Sequence, residues 1–310
     1  MNPIAEQLET ELRRAVPPAV RQLADRLAAR AGRATAAVLY YGSALRDEAL
    51  DGVLDFYVLV DRSADWPGPR LAALAQHLLP PHVGYLEDEI DGRRLRAKFA
   101  VMTQRRFRAA MSLRAIDTTL WARFSQPSVC VHARSQADRA DVIAALVDAV
   151  VTAAQWAAAL GPQRGDALAY WRALYAQTYA AELRVERSSR GDDLVARDAQ
   201  RYARLLPQAW RAARLDYSEH AGGSLQPHIE PQTRARLQRR WALRRRLGRP
   251  LNILRLLKAA VTFDNAMDYV AWKIERHAGY SLTPTAFQRR HPLLAAPGLY
   301  WRLRRAGVIR

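Results

Sequence analysis

The chain has 310 residues, half of them hydrophobic, enough for one large domain or two ordinary ones around a sizeable core. Its 48 Lys and Arg outweigh 30 Asp and Glu, and the resulting formal charge of +18 predicts attraction to an anionic partner, either nucleic acid or an acidic membrane surface. The single cysteine, Cys130, excludes an internal disulfide, and no charged-then-apolar leader opens MNPIAEQLETELRRAV, so a reducing cytoplasm is the expected setting.

In chain order, apolar residues at helical spacing (Ile4, Leu8, Leu12, then Val20, Leu23, Leu27) are interrupted at Pro17-Pro18 and closed by Gly32, which predicts two helices before the first strand. TAAVLYYG and VLDFYVLVD read as β-strands, followed by a helix near 67–79, a short strand at VGYLEDEI and a strand at RRLRAKFAVMT after Asp91-Gly92. A helix at about 103–112, the stretch AIDTTLWARFSQP and a strand at SVCVHA complete a mixed α/β first domain over 1–136. From 137 to 310 the reading is almost wholly helical: 138–160, 164–187, 195–215, 231–247, 250–262 and 266–278. The stretch 141–160 is long enough to cross a bilayer, but it holds Asp141 and Asp148 and is mostly Ala and Val, so it reads as a buried helix.

Positive charge concentrates late. Residues 231–263 carry ten Arg or Lys and no Asp or Glu, and 289–310 repeat that bias. In LQRRWALRRRLGRPLNILRLLK the arginines alternate with Trp241, Leu243, Leu247, Leu251, Leu254 and Leu257, as in a helix lying in a headgroup layer; the alternative is a core helix with a solvated basic face. The tail adds Tyr300 and Trp301 beside Arg302, Arg304 and Arg305, aromatic and basic anchors of the interfacial kind, with Leu299 and Leu303 read as part of the same inserting segment.

The stretch VLYYGSALRDEALDGVLDFYVLV carries the chemistry: a strand, a Gly42-Ser43 turn, then a second strand holding Asp55. A glycine there lets the backbone approach a phosphate, and a strand carboxylate can hold magnesium; the bland reading is a permissive turn and a strand-capping acid. Lys98, in a chain that otherwise writes arginine, is the second candidate, as a compact ammonium over phosphates or as a solvated edge-strand lysine. Arg46, just after the turn, either steadies a phosphate or lies on the surface. Glu182 either completes a metal site from the helical half or pairs with Arg187 or Arg190. No histidine spacing implies zinc, and Ser43 has no nearby His/Asp pair for hydrolase chemistry.

The strand–Gly-Ser–strand–carboxylate order resembles the polymerase-β-like nucleotidyltransferases. Within them, YYGSALR, DGVLDFYVLVD, KFAVMT and LWARFSQPSVCV, taken in order over about 36–135, resemble the mitochondrial-type phosphatidate cytidylyltransferases (translocator assembly and maintenance proteins) and their bacterial relatives. TYAAELRVE and GRPLNILRLLKAAVTFD extend the likeness loosely into the helical half. The resemblance implies a nucleotidyltransferase domain with a small mixed sheet, a helical lipid-binding domain, and transfer of CMP from CTP to phosphatidic acid. It implies catalytic Asp55 and Lys98, nucleotide contacts at Tyr41, Gly42, Ser43 and Arg46, and magnesium, or manganese, on Asp55 with Asp51. It further implies a peripheral enzyme on the cytoplasmic side of an inner membrane, with no obligatory nucleic acid. The usual Asp-x-Asp pair is missing, because Val53 and Tyr57 occupy the flanking positions, and Asp51 lies up to about 13 Å away along an extended strand. Two rivals keep the same residues: transfer to a nucleic acid or protein hydroxyl, and a catalytically dead membrane or RNA binder.

Overall fold

The computed structural model describes residues 2–68, 78–181, 190–263 and 265–305. Helix α1 (Pro3–Leu12) and helix α2 (Pro18–Ala31) form on either side of Pro17, and the spaced residues Ile4, Leu8, Leu12, Val20, Leu23 and Leu27 are all buried, as their period predicts. Strands β1 (Thr35–Tyr41), β2 (Val53–Val60), β3 (His82–Ile90), β4 (Arg93–Thr103) and β5 (Ser128–Ala133) make one sheet in the order β3-β4-β2-β1-β5. β1 and β3 run antiparallel to their partners β2 and β4, whereas β2 and β4 are parallel, so the sheet is mixed and the α/β class expected from the sequence is the one found. Short helices α3 (Ser43–Asp47), α4 (Gln104–Ala110) and α5 (Thr119–Phe124) sit in the connections. Helices α6 (Gln136–Leu160), α7 (Ala167–Ala181), α8 (Arg190–Arg197) and α9 (Ala199–Ala212) follow, then a hairpin of β6 (Tyr217–His220) and β7 (Ser224–Pro227) inside the part read as helical. The chain ends in α10 (Pro231–Thr262), α11 (Ala266–Ala278), α12 (Ala286–Arg290) and α13 (Pro292–Arg305). Most of the helix expected at 67–79 lies outside the described residues. The two helices expected at 231–247 and 250–262 are one: Pro250 removes a single N–H, and the helix continues through it.

The cut expected after residue 136 is not the one by which the chain packs. One compact unit comprises Met1–Arg14, Gln104–Cys130 and Arg134–Ile253; the other comprises Ala15–Thr103, Val131–Ala133 and Leu254–Arg310. Helix α1 belongs with the helices because a buried polar network holds it there. Arg201 on α9 binds Glu11 through Nε at 2.9 Å and donates to the Ser125 carbonyl at 2.9 Å, while the Ser125 hydroxyl meets the Tyr175 phenol at 3.0 Å. Once Arg201 is buried, losing one of these partners would leave a desolvated charge, so the three elements are held together.

Helix α6 is the one described helix long and apolar enough to span a bilayer, with a mean hydropathy of 1.7 over its most apolar window, but two thirds of that window is buried inside the protein. It is a core helix. Trp156 on α6 and Trp121 on α5 pack around Trp241 of α10, with ring centroids 5.2 and 6.3 Å from the Trp241 ring. Arg244, also buried, stacks on Trp156 and donates to the carbonyls of Leu113 and Ala115. This corrects the interfacial reading of the first half of that segment: Trp241 is core, and a buried arginine faces backbone carbonyls rather than headgroups. Leu243, Leu247 and Ile253 of the same helix remain exposed.

The start of α6 is fastened by Asp138. Its backbone N–H donates to the Ser135 hydroxyl, and its carboxylate accepts from Arg134, Ser135 and Gln104 at 2.6–3.1 Å. These donors, Arg134 foremost, hold the Asp138 carboxyl below the usual carboxylate range. A lowered carboxyl pKa stabilises the fold above the unfolded value of about 4 and loses that contribution as pH falls through the folded value. Asp138→Asn should therefore cost about 1–3 kcal/mol at pH 7, and its stability deficit against the parent, measured by chemical denaturation between pH 7 and 3, should shrink toward acid. A deficit that stays constant over that range contradicts the assignment.

Candidate functional site

Register in the sheet aligns one row of side chains. Tyr41 of β1 pairs with Asp55 of β2, Asp55 with Lys98 of β4, and Lys98 with Tyr85 of β3, so all four emerge on the same face. Asp55 and Lys98, which the sequence set 43 positions apart, are thus lateral neighbours on strands about 4.8 Å apart, both partly exposed among apolar residues.

Gly42 follows β1 with φ +94°, a conformation that L side chains rarely adopt, and a Cβ placed there would lie 2.7 Å from Asp55 Oδ2. The glycine is required twice, by its backbone angle and by the carboxylate pressed against it. The Gly-Ser turn and the acid therefore pack against each other. Ser43 opens α3 and is exposed; Arg46 lies one turn on, half-buried, its N–H donating to the Gly42 carbonyl at 3.4 Å.

The negative charge of Asp55 is felt on both faces of the sheet. Burial, with the Asp55 charge adding to it, pushes the phenols of Tyr40 on β1 and Tyr269 on α11 upward. Tyr269 was not among the residues singled out by sequence. It is brought in because α11 packs on β3: Asn265 donates to the Tyr85 carbonyl at 2.9 Å, and the Tyr85 and Tyr269 rings lie 5.5 Å apart. From Tyr269 the helix presents Trp272 and Arg276 at i+3 and i+7, the same face. The Trp272 ring lies beneath two guanidiniums, Arg96 of β4 at 5.9 Å and Arg276 at 5.3 Å. The i, i+3, i+7 spacing was legible as a helical face, but nothing in the sequence says which strand it meets.

The remaining candidates fall elsewhere. Asp51 precedes β2 in the turn, is 94% exposed through its side chain, and pairs with Arg93 at 3.6 Å. Glu182 lies outside the described residues. Among the described residues, no group of three or more His, Cys, Asp or Glu could hold a metal ion, so a cation at Asp55 would draw most of its oxygens from a bound phosphate chain and water. Tyr300 and Trp301 on α13 are exposed, as are Arg302, Arg304 and Arg305, and Arg304 stacks on Trp301. Leu299 and Leu303 of the same helix are instead buried against Met267, Ala271 and Leu282. This corrects the reading of the tail as a wholly inserting segment: one side of α13 closes a small core and only the other faces outward.

No protein-family model and no curated protein matches the chain. Among solved structures, a nucleotidyltransferase-like protein from Exiguobacterium sibiricum 255-15 matches 94% of this chain and 92% of its own, at 15% identity and a TM-score of 0.28, a score at which the likeness carries no argument about fold or activity.

The contact between Gly42 and Asp55 can be tested without any substrate. Gly42→Ala should destabilise the protein by about 2–4 kcal/mol, the sum of a strained φ and an overpacked contact. In an Asp55→Ala background the cost should fall to little more than the backbone part, because the clashing oxygen is gone. Equal costs in both backgrounds, measured in a double-mutant cycle by urea denaturation, refute the close approach.

Proposed function

We propose that this chain is a nucleotidyltransferase that moves CMP from CTP to phosphatidic acid. The observation that carries the reading is the Gly42–Ser43 turn pressed against the Asp55 carboxylate, with Lys98 in register beside it. The turn suits a triphosphate: Gly42 and the exposed Ser43 hydroxyl lie where a phosphate chain can approach the backbone, and Arg46 lies one turn on. Asp55 would hold magnesium, with the other ligands from the phosphate chain and water, and the ion would neutralise the charge that builds as pyrophosphate leaves. The Lys98 ammonium adds a fixed positive charge on the other side of Asp55.

The reaction balances without a protein base. An oxygen of the acceptor's phosphomonoester bonds to the α-phosphorus, the bond from that phosphorus to the bridging oxygen breaks, and pyrophosphate leaves with the electron pair. A phosphomonoester with a second pKa near 6 is already largely ionised at neutral pH, so a single carboxylate suffices where a sugar hydroxyl would demand more activation.

A lipid acceptor is favoured over a nucleic acid by what the basic helices expose. Leu294, Tyr300 and Trp301 stand beside Arg302, Arg304 and Arg305 on α13, and Leu243 and Leu247 stand beside Arg245 and Arg246 on α10. Leucines among arginines suit acyl chains under anionic headgroups, whereas a helix tracking nucleic-acid phosphates has no use for Leu243, Leu247 or Leu294.

Labelled CTP, magnesium and phosphatidic acid vesicles test the reaction directly, with the other three nucleotides and nucleic acid acceptors as controls. Asp55→Asn should lower turnover at least 10²-fold while the far-ultraviolet spectrum stays unchanged; a variant keeping more than about a tenth of the activity moves the metal site elsewhere. For the membrane, deletion of the tail would also remove Leu299 and Leu303 from the core, so point changes are the cleaner probe. Three arginines near an anionic surface supply about 3 kcal/mol before screening. Tyr300→Ser with Trp301→Ser should lower co-sedimentation with phosphatidic acid vesicles several-fold, more so at high salt, and spare CTP binding. Unchanged sedimentation at every salt concentration would assign α13 a structural role only.

A further inference from the structure

Resting on the reading of Asp55 and Gly42 as a nucleotidyl-transfer site, we infer that Arg96 and Arg276, held over the Trp272 ring, form the subsite for the acceptor's phosphate. Three observations point there.

The first is placement about Asp55. The sheet order sets β1 on one side of β2 and β4 on the other, so the Gly42 turn flanks Asp55 from the β1 side while Lys98 and Arg96 flank it from the β4 side. Arg96 pairs in register with Val53, one pleat from Asp55 and on the same face. A displacement at phosphorus needs the attacking and leaving oxygens on opposite sides of the reacting centre. With the triphosphate on the turn, a second phosphate belongs on the β4 side.

The second is how the two guanidiniums are held. Trp272 lies within 6 Å of both, near enough for cation–π attraction to hold the two guanidiniums over one ring. Arg276 is exposed and reaches the backbone just before β2, its Nη1 lying 3.8 Å from where a Cβ on Gly52 would stand. Two cations brought onto one indole repel each other, and a phosphate dianion, which matches two guanidinium forks, would relieve that repulsion.

The third is an unmet donor. The Arg96 side chain is 19% exposed, and its Nη2 reaches Glu87 at only 3.6 Å, a carboxylate shared with Arg94 at 3.4 Å. Its buried Nε has no hydrogen-bond partner among the described residues. A buried guanidinium N–H left unmade is costly, and an arriving phosphate oxygen would satisfy it.

The test uses the full chain and separates acceptor from nucleotide. Binding of soluble dioctanoyl phosphatidic acid, of inorganic phosphate and of CTP is measured by calorimetry on the parent, Arg276→Gln, Arg276→Lys and Arg96→Gln, and turnover is followed in parallel with the soluble acceptor. Arg276→Gln and Arg96→Gln should weaken the soluble lipid phosphate about tenfold or more, raise its KM in step, and leave CTP affinity within about twofold; Arg276→Lys should recover part of the loss. Inorganic phosphate should compete with the lipid in the parent and lose its own binding in both Gln variants. If the Gln variants weaken CTP and not the lipid phosphate, the arginines belong to the triphosphate and the inference falls. If both ligands bind all variants alike, the stack only packs α11 onto the sheet, and the inference falls as well. If the parent binds the lipid phosphate through these arginines but turns over no nucleotide, the subsite stands and the transfer reading fails.

Discussion

The site is organised by one close approach, that of the Asp55 carboxylate to the backbone at Gly42. A side chain at residue 42 would meet Asp55 Oδ2 at 2.7 Å, so the turn after β1 and the acid on β2 can occupy their positions only if residue 42 is glycine. The positive φ there turns the chain out of β1 and into α3, and Ser43 is exposed at its start. The register of β1 on β2 sets the same contact from the other side, since a slip of β2 by one residue would carry Asp55 to the opposite face and Leu54 or Phe56 into its place. Local backbone geometry and long-range strand pairing therefore agree on one position.

The excess of arginine divides into two populations with different physics. Arg201, Arg244 and Arg234 are spent inside: they donate to backbone carbonyls left over at chain reversals and helix ends, and to Glu11. Such residues stabilise by satisfying acceptors that would otherwise be buried without partners, and they contribute little to the field outside. Lys258, one of only three lysines, belongs with them; it donates to the carbonyls of Leu79 and Pro81, and burial pushes its ammonium down to about 8. By contrast Arg245, Arg246, Arg302, Arg304 and Arg305 stay in water, on α10 and α13, next to exposed leucines and aromatics. Net charge alone does not distinguish the two, yet only the second can attract an anionic surface.

Part of the sheet unit comes from the far end of the chain. The described residues from 254 to 305 belong to the unit of the strands, and α11 lies on β3 through Asn265, Tyr269 and the paired rings of Tyr85 and Tyr269. Helix α13 then covers the other side of α11 by burying Leu299 and Leu303 against Met267 and Ala271. The surroundings of Asp55 are thus built by two segments that the chain synthesises far apart, and a change in α13 acts on them through α11.

What the sequence determined by itself is local. Period 3.6 marked α1, α2 and α6, period 2 and β-branched or aromatic runs marked β1, β2 and β4, and Gly-Ser followed by an acid on an apolar strand marked the candidate site, because each is a property of residues a few positions apart. It also marked Lys98, through the rarity of lysine. What only the tertiary structure decided is non-local: that Lys98 stands beside Asp55, which follows from the parallel pairing of β2 and β4; that α1 joins the helices, which follows from the buried Arg201–Glu11 pair; that Trp241, Leu299 and Leu303 are core; and that Tyr269, Trp272 and Arg276 face the sheet. An amphipathic pattern specifies that a face must be covered but not by what, since burying a leucine is worth nearly the same against a tryptophan, a neighbouring helix or an acyl chain. Only the folded chain, by bringing particular partners within reach, chooses among them.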